Sequence, residues 1–229
     1  MDRAEYIAHG ADSVAGWFRP ADRHLFAAID DAQRRDGITG DLLEIGCYQG
    51  TSAILMGYMK QAHERMIVCD IFDGAVESDE DAAERERYYA PNFSRQMLED
   101  NYRRFHGGLP EIVHGPSWTL NACGLGRSFR FIHIDGSHNY DQVRGDLNIA
   151  KHLLVPGGVV SFDDLLSPHT PGVTAAVWEG VANDGLIPMF QSGVKFYGTW
   201  DTPINIDLPA GLGAVHHTVR GHHMLNVEG

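Results

Sequence analysis

The sequence is poor in positively charged side chains. It has 18 lysines and arginines against 31 aspartates and glutamates, and its formal net charge at pH 7 is −13. Proteins that follow a nucleic-acid backbone need clustered Lys and Arg to bind the phosphates, whereas the basic residues here are few and scattered. The composition therefore argues against a nucleic-acid partner.

Long apolar runs and paired cysteines are also missing. No stretch of about 18 apolar residues occurs, so the sequence predicts no membrane-spanning helix. Residues 1–14 lack the basic and apolar regions of a secretion signal, and we expect a soluble, cytoplasmic protein. The three cysteines form no C-x-x-C pair and indicate reduced thiols. The length suits one α/β domain over residues 1–229.

Residues 41–52 (DLLEIGCYQGTS) predict a buried strand, a glycine turn and the start of a helix. Gly46 and Gly50 let the backbone bend sharply and approach a ligand, and the N–H groups of the following helix favour an anionic group. We expect a small anionic cofactor at this turn. A dinucleotide would require G-x-G-x-x-G, whereas bulky residues occupy positions 47–49, so NAD is the weaker interpretation.

Residues 66–72 (MIVCDIF) predict a second buried strand, which completes a β-α-β unit in a parallel sheet. Asp70 lies near its end, where an acid accepts hydrogen bonds from ribose hydroxyls in nucleoside-binding folds of this type. Residues 74–99 form a long insertion after this strand. We expect a lid or a wall of the substrate pocket, with a solvated surface excursion as the alternative.

Three carboxylates follow two further strands of the predicted sheet. Residues 129–134 lead into Asp135, and residues 159–162 lead into Asp163 and Asp164 after a second β-α-β unit. At one sheet edge these acids would repel one another and take up protons unless they shared a cation. An all-oxygen site suits a hard divalent ion, Mg²⁺ first. Alternatively, the Asp163-Asp164 pair caps a helix while Asp135 holds the amine of the cofactor.

The motif E-I-G-C-Y-Q-G-T-S at residues 44–52 and the segment at residues 131–165 (FIHIDG to SFDDL) resemble class I S-adenosylmethionine (AdoMet) methyltransferases. They are most similar to the metal-dependent O-methyltransferases that act on catechols and on macrolide and aminocoumarin sugars. The likeness covers roughly residues 16–165. It implies a Rossmann-like α/β fold with a mostly parallel, seven-stranded sheet, helices on both faces and a C-terminal antiparallel hairpin, which we expect at residues 188–200.

The resemblance also implies roles for individual residues. It assigns the metal to Asp135, Asp163 and Asp164. The residues implied for AdoMet are Glu44, Gly46, Tyr48, Gly50, Ser52, Asp70, Ser117 and Asp135. Tyr48 stands where the usual motif of the larger class has a glycine, as in the catechol-type branch.

His138 follows Asp135 by three residues, where the catechol enzymes carry a lysine base. An imidazole titrates near pH 6.5 and could take a hydroxyl proton while Mg²⁺ lowers the pKa of that hydroxyl. We therefore name His138 and Asp135 as candidate catalytic residues, with Asp164 as a further candidate base. Alternatively, His138 only hydrogen-bonds a ligand carboxylate. His133 lies within a strand and is interpreted as a core histidine.

These patterns predict Mg²⁺-dependent transfer of a methyl group from AdoMet to a small-molecule hydroxyl. The resemblance favours a sugar or polyketide-type natural-product intermediate over a catechol. The alternatives are a metal-free N- or C-methyltransferase, a related metal enzyme that transfers no methyl group, and a non-catalytic AdoMet-binding partner. The tail at residues 201–229 carries two adjacent histidine pairs, for which we expect a surface role or a contact in a homodimer.

Overall fold

Residues 1–76, 78–89 and 93–228 are described by the computed structural model, and the strands among them form one nine-stranded sheet. The strands are β1 (Asp41–Ile45), β2 (Met66–Asp70), β3 (Glu111–His114), β4 (Phe129–Ile134), β5 (Leu154–Phe162), β6 (Ile187–Gln191), β7 (Phe196–Thr199), β8 (Gly213–Val219) and β9 (His222–Glu228). Their order across the sheet is β3-β2-β1-β4-β5-β7-β6-β9-β8. The first five pair in parallel, whereas β7 is antiparallel to both β5 and β6.

Helices cover both faces of this sheet. They are α1 (Arg3–Glu5), α2 (Pro20–Arg35), α3 (Thr51–Met59), α4 (Asp79–Glu84), α5 (Arg95–Arg103), α6 (Tyr140–Leu153) and α7 (Pro171–Asn183). Short π-helical turns directly follow α1 and α4, at Tyr6–Gly10 and Arg85–Tyr89. Short 3₁₀ helices lie at Ala11–Ser13 and Ser117–Ala122. Within the described residues, no helix combines the length and the apolar character needed to cross a membrane.

Two apolar clusters, one on each face, hold the helices to the sheet. The first contains side chains of α2, α3 and α5, and the second contains side chains of α6 and α7. In β1, Leu42 belongs to the first cluster and Leu43 to the second, because successive residues of a strand point to opposite faces. Strands covered on both faces read as nearly continuous apolar runs. The predicted Rossmann-like α/β architecture is confirmed, as is the antiparallel hairpin, which consists of β6 and β7.

The predicted count of seven strands is wrong, because the C-terminal tail adds β8 and β9. Strand β9 pairs in parallel with β6, and β8 pairs antiparallel with β9 at the edge of the sheet. Met224 and Val227 of β9 are buried, while most side chains of β8 are exposed. An edge strand that buries neither face lacks the alternating pattern that signals a strand in a sequence. The proposed dimer contact of this tail stays a prediction.

The parallel ladders continue past the ends of β1, β4 and β5. The Asp135 N–H donates to the Ile45 carbonyl at 2.8 Å. The Asp163 N–H donates to the Ile134 carbonyl at 2.9 Å. Because β1, β4 and β5 are neighbours, the turn after β1 and the acids after β4 and β5 lie side by side at the carboxyl edge of the sheet, where ligands bind in open α/β folds.

Candidate active site

The turn between β1 and α3 has a left-handed backbone. Gly46 and Gly50 have φ angles of 78° and 94°, and Tyr48 between them has a φ angle of 47°. Tyr48 thus adopts a conformation that costs a non-glycine residue about 1–2 kcal/mol, and its ring lies 5.3 Å from that of Trp17 between centroids. A Cβ atom at Gly46 would lie 2.1 Å from the Asp135 carbonyl oxygen. Only glycine therefore allows the turn to approach the acid site.

Asp70 braces this turn from the end of β2. Its Oδ2 accepts a hydrogen bond from the Cys47 N–H, and its Oδ1 accepts one from the Phe72 N–H, each at 2.7 Å. Burial raises the pKa of Asp70, and the two backbone hydrogen bonds act in the opposite direction. Because each carboxylate oxygen has a second lone pair, Asp70 can also accept hydrogen bonds from ribose hydroxyls.

A cavity of about 730 Å³ opens beside the turn and is called the cofactor cavity below. Its volume lies within the range of small-molecule sites. Five of the residues predicted to bind AdoMet line it, namely Gly46, Tyr48, Asp70, Ser117 and Asp135.

The other three residues predicted for AdoMet have different positions. Glu44 is fully buried beneath the turn, and its Oε1 lies 2.8 Å from His133 Nδ1. Burial raises the pKa of Glu44 to about 8, although a hydrogen bond from Ser52 and the charge of Lys195 oppose this shift. Gly50 precedes α3. Ser52, in the first turn of α3, lines a second cavity.

The second cavity has a volume of about 510 Å³ and adjoins the first; it is called the acid cavity below. Trp17, Cys47, Tyr48 and Asp135 line both cavities. The acid cavity also contains the other predicted metal ligands and the candidate base, that is Asp163, Asp164 and His138. The structure therefore brings the turn between β1 and α3 and the three aspartates to two adjoining cavities.

The three predicted metal ligands fall in two groups of possible ligands that share Asp135. In the first group, each residue offers one ligand atom, and these atoms lie within 4.8 Å of one another; its members are Asp135, His138 and Asp164. The second group meets the same distance and consists of His133, Asp135 and Asp163. Burial and then the charge of Asp163 raise the pKa of Asp135 well above its usual range. Without a bound cation, the neighbouring carboxylates therefore favour protonation of Asp135.

Asp164 has the opposite shift. Burial acts to raise its pKa, but hydrogen bonds from His138 and Ser167 lower it to about 2. His138 Nε2 lies 3.1 Å from Asp164 Oδ2. Asp164 is thus ionised at neutral pH, and the carboxylates of Asp135, Asp163 and Asp164 offer the oxygen ligands that suit a hard divalent cation.

Lys195 belongs to this site although no sequence motif indicates it. It follows the turn between β6 and β7, its side chain is 1% exposed, and its Nζ donates to Asp163 Oδ2 and lies 3.0 Å from His133 Nε2. Burial acts to lower the pKa of Lys195, but the charges of Asp163 and Asp135 raise it. A lysine directly before an apolar strand is the signal that could have found it, because lysine is almost never fully buried unless it is paired.

The structural resemblances are broad and the sequence identities low. The O-methyltransferase NovP is 18% identical, over 82% of this chain and 84% of that chain, with a TM-score of 0.62. The O-methyltransferase from Bacillus cereus in complex with SAH is 15% identical, over 86% of this chain and 90% of that chain, with a TM-score of 0.55. At these identities the likeness shows the shared fold.

A curated relative and a family model match the sequence more specifically. The relative is the 8-demethyl-8-(2,3-dimethoxy-alpha-L-rhamnosyl)-tetracenomycin-C 4'-O-methyltransferase of Streptomyces olivaceus, which is 32% identical over 56% of this chain and 54% of its own. The chain thus spans about half the length of that relative. The family described as "Methyltransferase domain" matches residues 43–165, which are more than half of the chain. The protein therefore belongs to this methyltransferase family.

Proposed function

We propose that the protein transfers the methyl group of AdoMet to a hydroxyl of a small molecule. The observation that carries this proposal is that the cofactor cavity and the acid cavity meet at Asp135. A cofactor in the first and an acceptor in the second would have their reacting groups on either side of this residue. Holding two reactants in this way supplies much of the rate of a transfer reaction.

The proposed AdoMet site uses the turn after β1 and the ends of the neighbouring strands. Asp70 would accept hydrogen bonds from the ribose, and Ser52, at the start of α3, would bind the carboxylate of the cofactor, where helix N–H groups favour an anion. Ser117 would contact the adenine, and Asp135 the amine. Family membership and the SAH in the Bacillus cereus structure support this proposal.

The proposed acceptor is a sugar or polyketide-type intermediate. The Streptomyces olivaceus relative is named for methylation of a rhamnosyl group on a tetracenomycin. Trp17, which is 63% exposed, and Tyr48 form an aromatic wall of the acid cavity. Aromatic side chains supply a large apolar contact surface, which suits a sugar ring or a planar polyketide.

We also propose that Asp135, Asp163 and Asp164 hold a divalent cation, Mg²⁺ first. One buried lysine faces these three carboxylates, so a further positive charge would lower their mutual repulsion. Bound there, the cation would supply the charge that lowers the pKa of a neighbouring hydroxyl.

In the proposed reaction, the acceptor oxygen attacks the methyl carbon in line with the carbon–sulfur bond. The new carbon–oxygen bond forms as the carbon–sulfur bond breaks, and S-adenosylhomocysteine leaves. His138 takes the hydroxyl proton, and ionised Asp164 orients its imidazole across the 3.1 Å contact. Asp135 and Asp164 remain the alternative bases.

The insertion at residues 74–99 is proposed as the wall that closes the cofactor cavity. Asp81 of α4 accepts hydrogen bonds from Ser137 Oγ at 2.8 Å and from Gln142 Nε2 at 3.2 Å. Arg85 and Phe93 line the cofactor cavity. Residues 77 and 90–92 of this insertion lie outside the described residues. We further propose that residues 1–229 act as one catalytic domain.

Replacing Asp163 tests the proposed reaction. We expect Asp163→Ala to lower turnover at least about a thousandfold, equal to about 4 kcal/mol, because the acceptor hydroxyl loses its activation. AdoMet affinity, measured by calorimetry, should change by no more than about threefold, because Asp163 lines the acid cavity. Methyl transfer is measured by mass spectrometry with a rhamnosylated polyketide and a catechol as acceptors.

Asp207→Ala is the matched control, because its side chain is 97% exposed; turnover should be unchanged. Chelation with EDTA should stop turnover, and Mg²⁺ should restore it. Full activity in EDTA or in Asp163→Ala would contradict the metal assignment and favour a metal-free N- or C-methyltransferase. Absence of AdoMet binding would contradict the proposed function as a whole.

A further inference from the structure

Lys195 differs from the other two lysines of the sequence in what it contacts. Lys60 Nζ donates to the backbone carbonyls of Gln61 and Glu64, and Lys151 Nζ donates to that of Asp184. Lys195 Nζ instead donates to a carboxylate, Asp163 Oδ2, inside the acid cavity. The protein thus places a cation of its own among the residues proposed to bind a divalent cation.

Both carboxylate oxygens of Asp163 are engaged in this arrangement. Oδ2 accepts from Lys195, and Oδ1 accepts from the Asp164 N–H at 2.8 Å. Oδ2 keeps a second lone pair, but a divalent cation that took it as a ligand would stand beside the ammonium group, because both would share one oxygen atom. The divalent cation and the Lys195 ammonium group would repel each other across this shared oxygen, since the protein interior screens charges less than water does. The cation therefore favours drawing Oδ2 away from Lys195.

Lys195 has a second acceptor that can retain it when Asp163 turns away. Its Nζ lies 3.0 Å from His133 Nε2. Because Nε2 accepts from the ammonium group, the ring proton lies on Nδ1, which donates to Glu44 Oε1 at 2.8 Å. Lys195 would thus remain held beside the cation.

We propose that Lys195 is an internal competitor of the divalent cation: its ammonium group neutralises Asp163 in the cation-free protein, and the cation must take this carboxylate from it. The inference rests on the proposed metal-dependent function. It means that the acid cavity is stable without a metal and binds one more weakly than its carboxylates alone would. Lys195 is in this view a positioning residue for Asp163.

Metal affinity tests this proposal without an activity assay. We expect Lys195→Met to bind Mn²⁺ at least about tenfold more tightly than the wild type, measured by electron paramagnetic resonance, because it frees Asp163 and removes a repelling charge. Lys195→Arg keeps the charge and should show no gain. Lys151→Met, which removes the same charge from the exposed side of α6, is the matched control and should bind Mn²⁺ as the wild type does.

Two further measurements separate competition from a general charge effect. In an Asp163→Asn background, Lys195→Met should change Mn²⁺ affinity by less than about threefold, because the contested ligand is gone. Crystal structures of the wild type with and without Mn²⁺ should show Asp163 Oδ2 moving from Lys195 to the ion. The second measurement applies even if Lys195→Met fails to fold.

The outcomes distinguish this inference from the proposed function. If the wild type binds Mn²⁺ while Lys195→Met binds it equally or less tightly, the inference is overturned and the proposed metal site stands. Crystals in which Lys195 keeps Asp163 beside a bound ion would overturn it as well. If neither protein binds Mn²⁺, both the inference and the proposed metal dependence are overturned.

Discussion

Two fully buried, positively charged side chains, Arg130 and Lys195, lie at opposite edges of the same sheet, and their surroundings differ. Arg130 lies in β4 near the amino edge, whereas Lys195 reaches the carboxyl edge. The guanidinium donates hydrogen bonds to Glu64 Oε1 and Oε2, Gln33 Oε1 and the Met59 carbonyl at 2.8 to 3.0 Å, and it forms an ion pair with Asp30 Oδ1 at 3.0 Å. The amino edge is a closed network.

The carboxyl edge is instead open to a cavity. Lys195 pairs with Asp163, but Asp135 and Asp164 face the same cavity of about 510 Å³. A buried charge is stable when its partners and hydrogen bonds are complete, and strongly shifted groups in a cleft indicate a functional site. The two networks thus differ in completeness: the one at Arg130 serves stability, and the one at Lys195 leaves room for a ligand.

Removing Arg130 should give the largest loss of stability. We expect Arg130→Met to lower the free energy of unfolding by about 3–5 kcal/mol, because it leaves Glu64 buried without its main partner and removes one of three arginines paired with Asp30. Urea denaturation measures this loss. Mn²⁺ and AdoMet affinities of the folded variant should match the wild type. A change in Mn²⁺ affinity as large as that of Lys195→Met would contradict the division between the two edges.

Each edge also has a buried carboxylate that accepts backbone hydrogen bonds. Asp70 accepts two backbone N–H groups, and Glu64 accepts those of Gly40 and Gln61. We expect Asp70→Asn and Glu64→Gln each to cost about 1–3 kcal/mol in urea denaturation, because each leaves buried donors poorly satisfied. AdoMet affinity, measured by calorimetry, should fall about tenfold or more in Asp70→Asn only. Equal losses of affinity in both variants would show that Asp70 acts through stability alone.

The carboxyl edge was largely predictable from the sequence because its parts are local. A strand, a turn and a helix start follow one another in residues 41–52, so Gly46 and the backbone strain at Tyr48 belong to one motif. Asp135 and the Asp163-Asp164 pair each end a buried strand of one β-α-β unit, and parallel connections bring such ends together.

Lys195 and the last two strands were not predictable in the same way. Lys195 reaches Asp163 from a hairpin 32 residues further along the chain, and the position of its side chain depends on the pairing of β7 with β5. Strands β8 and β9 carry histidines and few buried side chains, so their pairing depends on backbone hydrogen bonds, which leave no pattern in a sequence. Tertiary pairing of this kind is absent from local periodicity.

The pH dependence of stability should also differ between the two edges. At the amino edge, burial acts to raise the pKa of Glu64, but the hydrogen bond from Arg130 lowers it below its usual value of 4.5. Glu64 therefore stabilises the fold above that pH, and its contribution is lost as the pH falls. At the carboxyl edge, burial raises the pKa of Glu44 from 4.5 to about 8. Its effect on stability has the opposite sign.

Between these two pKa values of Glu44, the folded protein keeps a proton that the unfolded chain has released, so the free energy of unfolding falls as the pH rises through this window. We expect Glu44→Gln to remove this fall and to gain stability relative to the wild type by about 1 kcal/mol per pH unit between about pH 5 and about pH 8. Thermal denaturation across that range measures it. His133, whose lowered pKa makes stability fall at acid pH, is present in both proteins, so its contribution largely cancels in the difference. Parallel pH profiles would mean that Glu44 is ionised in the folded protein, with the charge of Lys195 outweighing burial.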